Sequence, residues 1–394
     1  MRGDVVDALK KCAEALQHGN SRLANAEMGR VLDLAEEETN PRTRRLIRYF
    51  AQALACRAYG LHPKYWKHRM GECYDFFYSV AWALADVIKG KRKVHVIELV
   101  KDMIIYKQWL SIFHMVNRGG LTYLRLSLLV EENVEFSRQS HRDPLVAIAK
   151  FHGIELECNL IAVNSFADID VSLLEMRDGE FVAVNCMLVF SKMLSEALAL
   201  KKLLLRVRDV MRADVMIVAE HDANLNQSDF LLRFDESLKY YSSEVQKLKK
   251  YEFDIEAYYR YLICNMVACE GSNRVERRQT WAQWKSLLFR YGFSIFNLST
   301  DFDEERLSIK WENGIVVVRT ETKKRPLFFI SAWKTSTFPF KSSGSNEDPC
   351  IISSESNRLQ TFQISPEVFC FLLMPYLVCQ IYKSRNIGFH LGSS

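Results

Sequence analysis

The sequence is most telling where residues are missing. The apolar, β-branched stretch Lys93 to Val100 reads as the first central strand of an α/β protein. The segment after it runs Lys101-Asp102-Met103-Ile104-Ile105-Tyr106-Lys107, and residues 100 to 118 hold no glycine. Cofactors in open α/β sheets lie against a glycine-rich turn at that point, because glycine lets the backbone approach them closely. Its absence speaks against a bound cofactor and, with it, against an enzyme. The 10 cysteines form no CxxC pair, and Cys12, Cys56, Cys186 and Cys264 lie inside apolar periodic segments. That usage fits buried reduced thiols in an intracellular protein. No Walker loop, GxSxG or HExxH occurs. The apolar run Val368 to Tyr382 has 15 residues with Pro375 and Gln380 inside it. It falls short of the roughly 20 that a membrane span needs and reads as a buried or interfacial segment. Net charge is +5 over 394 residues, too little to imply nucleic-acid binding by itself.

What is present is a helical block followed by alternating strands and helices. Val5, Val6, Leu9, Cys12, Ala13 and Leu16 recur at helical spacing after Asp4, with Gly19-Asn20 as the stop. The start, Met1-Arg2-Gly3-Asp4, leads straight into this helix and is expected to carry no secretory signal. Further helices are expected from Ser21 to Glu38, from Pro41 to Gly60, and from about Cys73 to Lys89. Strands are then expected at Lys93–Val100, Leu121–Val130, Ile154–Val163, Phe181–Asn185 and Val215–Ala219. Between them lie a helix opened by Asp143-Pro144 and a long one ending at Met211, with others at 230–250 and Ile255–Cys269. Strands separated by helices imply right-handed crossovers and a mostly parallel sheet. Arg306–Trp311, Asn313-Gly314 and Ile315–Val318 read as a hairpin with a type I′ turn, and Leu327–Ala332 adds a strand. A parallel sheet finished by an antiparallel hairpin is the layout of the Rossmann-like, methyltransferase-like α/β fold, here with an N-terminal helical cap. Residues 341–349, rich in Ser, Gly and Asn, read as a linker.

Several residues invite chemistry. Glu98, ending the first strand, suits either a catalytic acid or a strand-end carboxylate bonded to backbone. Glu220-His221-Asp222 follows the fifth strand and could be an acid/base or metal cluster, but neighbours in a strand do not share a face and no second His/Cys group stands at ligand spacing. No catalytic, cofactor or metal residue is assigned. Basic groups at Arg42/Arg44/Arg45, Lys91-Arg92-Lys93, Arg274/Arg277/Arg278 and Lys323-Lys324-Arg325 read as solvated faces before a nucleic-acid groove. Leu200-Lys201-Lys202-Leu203-Leu204 is an LxxLL pattern that fits a partner's groove or the core face of a crossover helix.

Taken together, these blocks resemble the plant GRAS proteins. Val94-His95-Val96-Ile97-Glu98 is similar to the VHIID motif, with Glu98 in the place of Asp. Ala8 to Leu16 resemble the opening of the first leucine-rich region. Val218 to Asn224, Phe230 to Phe234 and Tyr240-Tyr241-Ser242 resemble the approach to the PFYRE region. Ile263 to Gly271, Arg274-Val275-Glu276-Arg277, Trp281 and Trp284 resemble the block after it, and Ser331-Ala332-Trp333-Lys334 the SAW motif. Phe166 to Asp170 and Val182 to Asn185 resemble the DELLA branch, the repressors of gibberellin signalling, and the N-terminal segment that the hormone receptor recognises is expected to be missing. The loop after the first strand keeps only Gln108-Trp109 of the family's usual character.

The resemblance implies a GRAS domain over residues 4–336, made of a helical cap (4–90) and an α/β core (91–336), followed by a linker and atypical tail (337–394). It implies a nuclear transcriptional regulator that meets transcription factors and other GRAS proteins, as a homo- or heterodimer, with no cofactor and no membrane. It points to Leu9, Leu16, Leu200, Leu203, Leu204, Arg274, Glu276, Arg277 and Trp333 for partner binding. A methyltransferase-like enzyme and a sequence-specific DNA-binding protein are the alternatives.

Overall fold

A computed structural model describes residues 1–62, 74–100, 105–116, 120–131, 138–196, 198–244, 253–299, 309–312, 315–319 and 326–335. The expected linker at 341–349, the apolar run from Val368, the Asn313-Gly314 turn and the Lys323-Lys324-Arg325 cluster lie outside these residues. So do residues 101–104, the first part of the glycine-free segment.

The helices are α1 (Gly3–Gln17), α2 (Ser21–Glu37), α3 (Pro41–Ala58), α4 (Tyr74–Ile88), α5 (Ile105–Val116), α6 (Arg138–Phe151), α7 (Phe190–Met193), α8 (Ala199–Leu205), α9 (Phe230–Glu244), α10 (Phe253–Ala268) and α11 (Trp281–Arg290). The strands are β1 (Lys93–Val100), β2 (Tyr123–Glu131), β3 (Glu155–Val163), β4 (Phe181–Met187), β5 (Val215–His221), β6 (Phe293–Phe296), β7 (Ile309–Glu312), β8 (Ile315–Arg319) and β9 (Pro326–Thr335).

The chain forms two compact units. Among the described residues the helical unit holds α1, α2, α3, α9 and α10, so the N-terminal block draws in helices from far along the chain. Helix α4 belongs to the α/β unit, where Phe76 stacks on Phe328 of β9 at 4.5 Å. In the helical unit, local chemistry sets the ends. Asn20 accepts from the Leu23 N–H at 3.0 Å, and Asn40 from Arg42 and Thr43 ahead of Pro41 in the first turn of α3. Gly19 stands at φ 75°, a conformation that residues with a Cβ rarely adopt. Helix α1 buries Val5, Leu9, Cys12, Ala13 and Leu16 of the expected stripe and Ala8 besides, while Val6 is half-buried.

In the α/β unit the strand order is β3-β2-β1-β4-β5-β9-β8-β7, with β6 also pairing β9. The first five strands are parallel and the rest antiparallel. This is the Rossmann-like, methyltransferase-like order. Crossovers leave β1 in one direction and β4 in the other, so the topological switch point lies between these two neighbours.

Some boundaries differ from the sequence reading. The long helix expected before Met211 is broken into α7, α8 and a π-helical turn at Arg206–Val210. Helix α6 starts before the expected Asp143-Pro144, and Pro144 sits inside it, removing one backbone bond without ending the helix. Helix α11 and strand β6 have no counterpart among the expected elements. The hairpin strands β7 and β8 pair as expected, with Glu312 opposite Ile315. Among the described residues no helix is long and apolar enough to cross a membrane.

Candidate functional site

Ligands of open α/β sheets bind outside the carboxyl ends of the strands at the switch point. In this protein that point is the end of β1 beside the end of β4. Glu98 and Asn185 occupy opposed positions in the two strands, and Asn185 Nδ2 donates to Glu98 Oε1 at 2.8 Å. Glu98 lies inside β1, which runs on to Val100, and its partner is a side-chain amide in place of the backbone group expected of a strand-end carboxylate. Both residues are buried, as are Cys186 on β4 and Gln108 and Trp109 on α5. Burial pushes the Glu98 carboxyl up to about 8, and the amide bond pulls back only part of that rise. At neutral pH it is therefore mostly protonated. A carboxyl tuned this way can serve as a catalytic acid, so access decides its role. Glu98 and Asn185 are almost wholly shielded from solvent, and the glutamate's bond is to a fixed amide. The arrangement suits a buried joint between two strands.

The Glu220-His221-Asp222 group is divided among three tasks. Glu220 Oε1 accepts the Ser191 N–H at 3.2 Å and braces the turn into α7. That turn passes through Leu188 at φ 56°, a left-handed conformation uncommon for leucine, while the Leu188 N–H donates to the Ala219 carbonyl at 2.9 Å. Burial raises the Glu220 carboxyl to about 7 against the Ser191 bonds and the Arg278 charge. His221 stacks on Phe328 with ring centroids 4.4 Å apart. Asp222 Oδ1 accepts the Trp281 N–H at 3.0 Å, at the start of α11. Among the described residues no three His, Cys, Asp or Glu side chains are grouped to hold a metal ion. Cys12, Cys56, Cys158, Cys186, Cys264 and Cys269 are buried.

The histidine of β1 is also structural. Arg125 Nη2 donates to His95 Nδ1 at 2.9 Å, and an arginine can only donate, so the ring proton lies on Nε2 and points to Ser127 Oγ at 2.8 Å. Burial, then the Arg125 charge, lowers His95 to about 3 and keeps it neutral. Arg125 in turn holds Glu180 through Nε at 3.1 Å and the Leu174 carbonyl through Nη1 at 2.6 Å.

The residues expected at a partner surface are all inside. Leu9 and Leu16 lie on the buried stripe of α1, and Leu200, Leu203 and Leu204 are core residues of the α/β unit. Arg274, Glu276 and Arg277 are buried, with Arg274 Nη1 donating to the Leu225 carbonyl at 3.0 Å and the Glu276 N–H to Asn265 Oδ1 at 2.9 Å. Arg274, Arg277 and Arg278 are thus no solvated face. Trp333 is fully buried; its Nε1 donates to Ser331 Oγ at 2.8 Å, and its ring lies 5.7 Å from Trp281. Side chains so enclosed hold the fold and offer a partner no surface of their own.

Sequence reasoning missed an ionic joint in the helical unit. Glu270 lies between Arg57 Nη1 at 2.8 Å and Arg233 Nη2 at 2.5 Å. Arg57 also stacks over the Phe230 ring, 3.6 Å from its centroid. Arg233 further donates to the carbonyls of Met266, Gln227 and Ser228. The readable signal was an arginine at a buried position of an apolar helix, which demands a partner.

Comparison with known proteins agrees with this architecture. The GRAS domain family matches residues 73–335. DELLA protein GAI1 of Vitis vinifera is 31% identical over 373 residues, which are 85% of this chain and 62% of that protein. DELLA protein RGA of Arabidopsis thaliana is 31% identical over 372 residues, 84% of this chain and 62% of that one. The chain therefore spans about three-fifths of the length of these relatives (62% in each case). The crystal structure of SCL7 from Oryza sativa shares the fold, with a TM-score of 0.68 at 21% identity over 84% of this chain and 100% of that one. With the family match spanning the whole described sheet, the chain belongs to the GRAS domain family.

Proposed function

We propose that the chain is a nuclear transcriptional regulator that acts by protein–protein contact. Its partners in this reading are transcription factors and other GRAS proteins, in gibberellin-related signalling or plant development. The observation that carries the reading is the GRAS match over residues 73–335 together with the likeness to DELLA proteins. The buried Glu98–Asn185 pair at the switch point supports a role without catalysis. The enclosed leucines and arginines serve this function by holding helices whose exposed faces meet the partner. Leu23 on α2 and Leu232 on α9, 42% and 59% exposed, are apolar candidates for such a face in the helical unit.

A tagged chain incubated with plant nuclear extract tests the proposal by mass spectrometry of what it retains. Enrichment of transcription factors, lost in a Leu23→Asp/Leu232→Asp variant that still folds, is the expected outcome. Saturable binding of labelled S-adenosylmethionine at micromolar levels overturns it in favour of an enzyme. A gel shift that depends on base sequence and survives physiological salt overturns it in favour of direct DNA recognition, since phosphate contacts alone weaken steeply with salt.

A further inference from the structure

We propose that the amino-terminal edge of the sheet, opposite the switch point, holds a binding site for the phosphoryl group of a compact polyanion. The turns leading into β1, β2, β4 and β5 surround a cavity of about 620 Å³ at this edge, a size that suits a small ligand. Helix α4 stops at Gly90, whose φ of 76° turns the chain so that Lys91, Arg92 and Lys93 line the cavity. All three are exposed, and no ion pair joins them to another described residue. Two acids share the lining, and both already have partners. Glu180 is held by the guanidinium of Arg125, and Asp214 Oδ2 accepts the Val182 N–H at 2.8 Å. Arg125 offsets the charge of Glu180, so among the described lining residues three cations stand against the Asp214 carboxylate and the site is positive.

The cations are also placed. Lys91 Nζ lies 4.6 Å from the centre of the Phe181 ring, which fixes it on one wall. The Arg92 carbonyl accepts from the Thr122 N–H and hydroxyl, each at 3.1 Å, tying the α4–β1 turn to the start of β2. A phosphoryl group matches this charge better than a lone carboxylate. It is close to dianionic at neutral pH and offers three strong acceptor oxygens to arginine and lysine donors. The inference stands on the geometry of the α/β unit and is independent of the regulatory reading above.

The test is calorimetric titration of the full chain with inorganic pyrophosphate at physiological salt. Saturable binding is expected, weakened roughly tenfold or more in Lys91→Gln/Arg92→Gln, where two charge-assisted bonds are lost. Lys93→Gln gives a milder loss, and Lys285→Gln, on α11, gives none. Circular dichroism checks that the variants fold, as exposed positions should allow. A phosphoserine peptide that displaces pyrophosphate identifies a phosphorylated protein as the source of the group. One that does not, while pyrophosphate still binds, identifies a free organophosphate, and either result supports the site. Absence of saturable pyrophosphate binding, equal binding by the double variant, or binding of duplex DNA alone overturns it.

Discussion

Glu270 and Glu98 are enclosed in two different ways. Glu270 of the helical unit sits between Arg57 and Arg233, with a fifth of its side chain exposed (20%). Burial alone would raise its carboxyl, but the attraction of the two guanidiniums outweighs that and holds it below its ordinary value. Among the described residues the partner of Glu98 in the α/β unit is the Asn185 amide, and burial carries its carboxyl up to about 8. The partner, more than the depth, decides whether a buried acid is an ion or a neutral group. Glu270 is thus an ionic joint among α3, α9 and α10. Glu98 is a neutral joint between β1 and β4, at the point where the fold elsewhere places a cofactor.

The largest expected effect comes from breaking the ionic joint. Glu270→Gln leaves two arginines without their counter-charge and should cost about 3–5 kcal/mol, read from chemical denaturation followed by circular dichroism. Leu203→Ala, in the core of the α/β unit, should cost about 2–5 kcal/mol by opening a cavity. If Leu203→Ala melts like the parent but loses its partners, the leucine faces a partner and the enclosed reading fails.

The pH profile sharpens the contrast further, because the two acids act with opposite sign. Glu98 is protonated more readily in the folded chain, so its stabilisation is complete below about pH 4.5 and is lost as pH rises toward about 8. Glu270 is ionised more readily in the folded chain, so its stabilisation is present at neutral pH and is lost as pH falls through its lowered value. Glu98→Gln should flatten the upper limb of a stability–pH curve and leave the acid limb alone. At about 1.4 kcal/mol per pH unit, the flattening should amount to several kcal/mol over that range. Glu270→Gln should do the reverse. The smallest effect is expected at a site that touches neither acid. Thr280 caps α11 in a reciprocal box with Gln283, and Thr280→Ala should cost about 1 kcal/mol by thermal melting, with no change in either limb.

Much of the architecture is readable in the sequence. The stripe on α1 and the apolar runs of β1, β2, β4 and β5 are open to a local reading, since burial shapes them. Helix α11 has no counterpart in that reading, although Thr280 and Gln283 spell its cap and Trp281, Trp284, Leu287 and Leu288 recur at helical spacing. Residues of α7, α8 and the π-helical turn share one core cluster with β4 and β5, and no local pattern marks the breaks between them. The site residues are harder. Glu98 can be placed on β1, but its amide partner Asn185 is 87 positions away. Arg57 meets Glu270 across 213 positions, and only the folded chain brings them together. Leu200, Leu203 and Leu204 could have faced either way, and burial alone assigns them to the core.

Whether the switch point is closed around a neutral acid is decided by titrating Glu98 itself. Carbon-13 carboxyl resonances of glutamate-labelled protein, with Glu98→Gln to assign the signal, would be followed from acid to alkaline pH. The account predicts a midpoint near 8. A midpoint at the ordinary value near 4.5 would contradict it, because the carboxylate would then be solvated and the edge of the sheet open to a ligand.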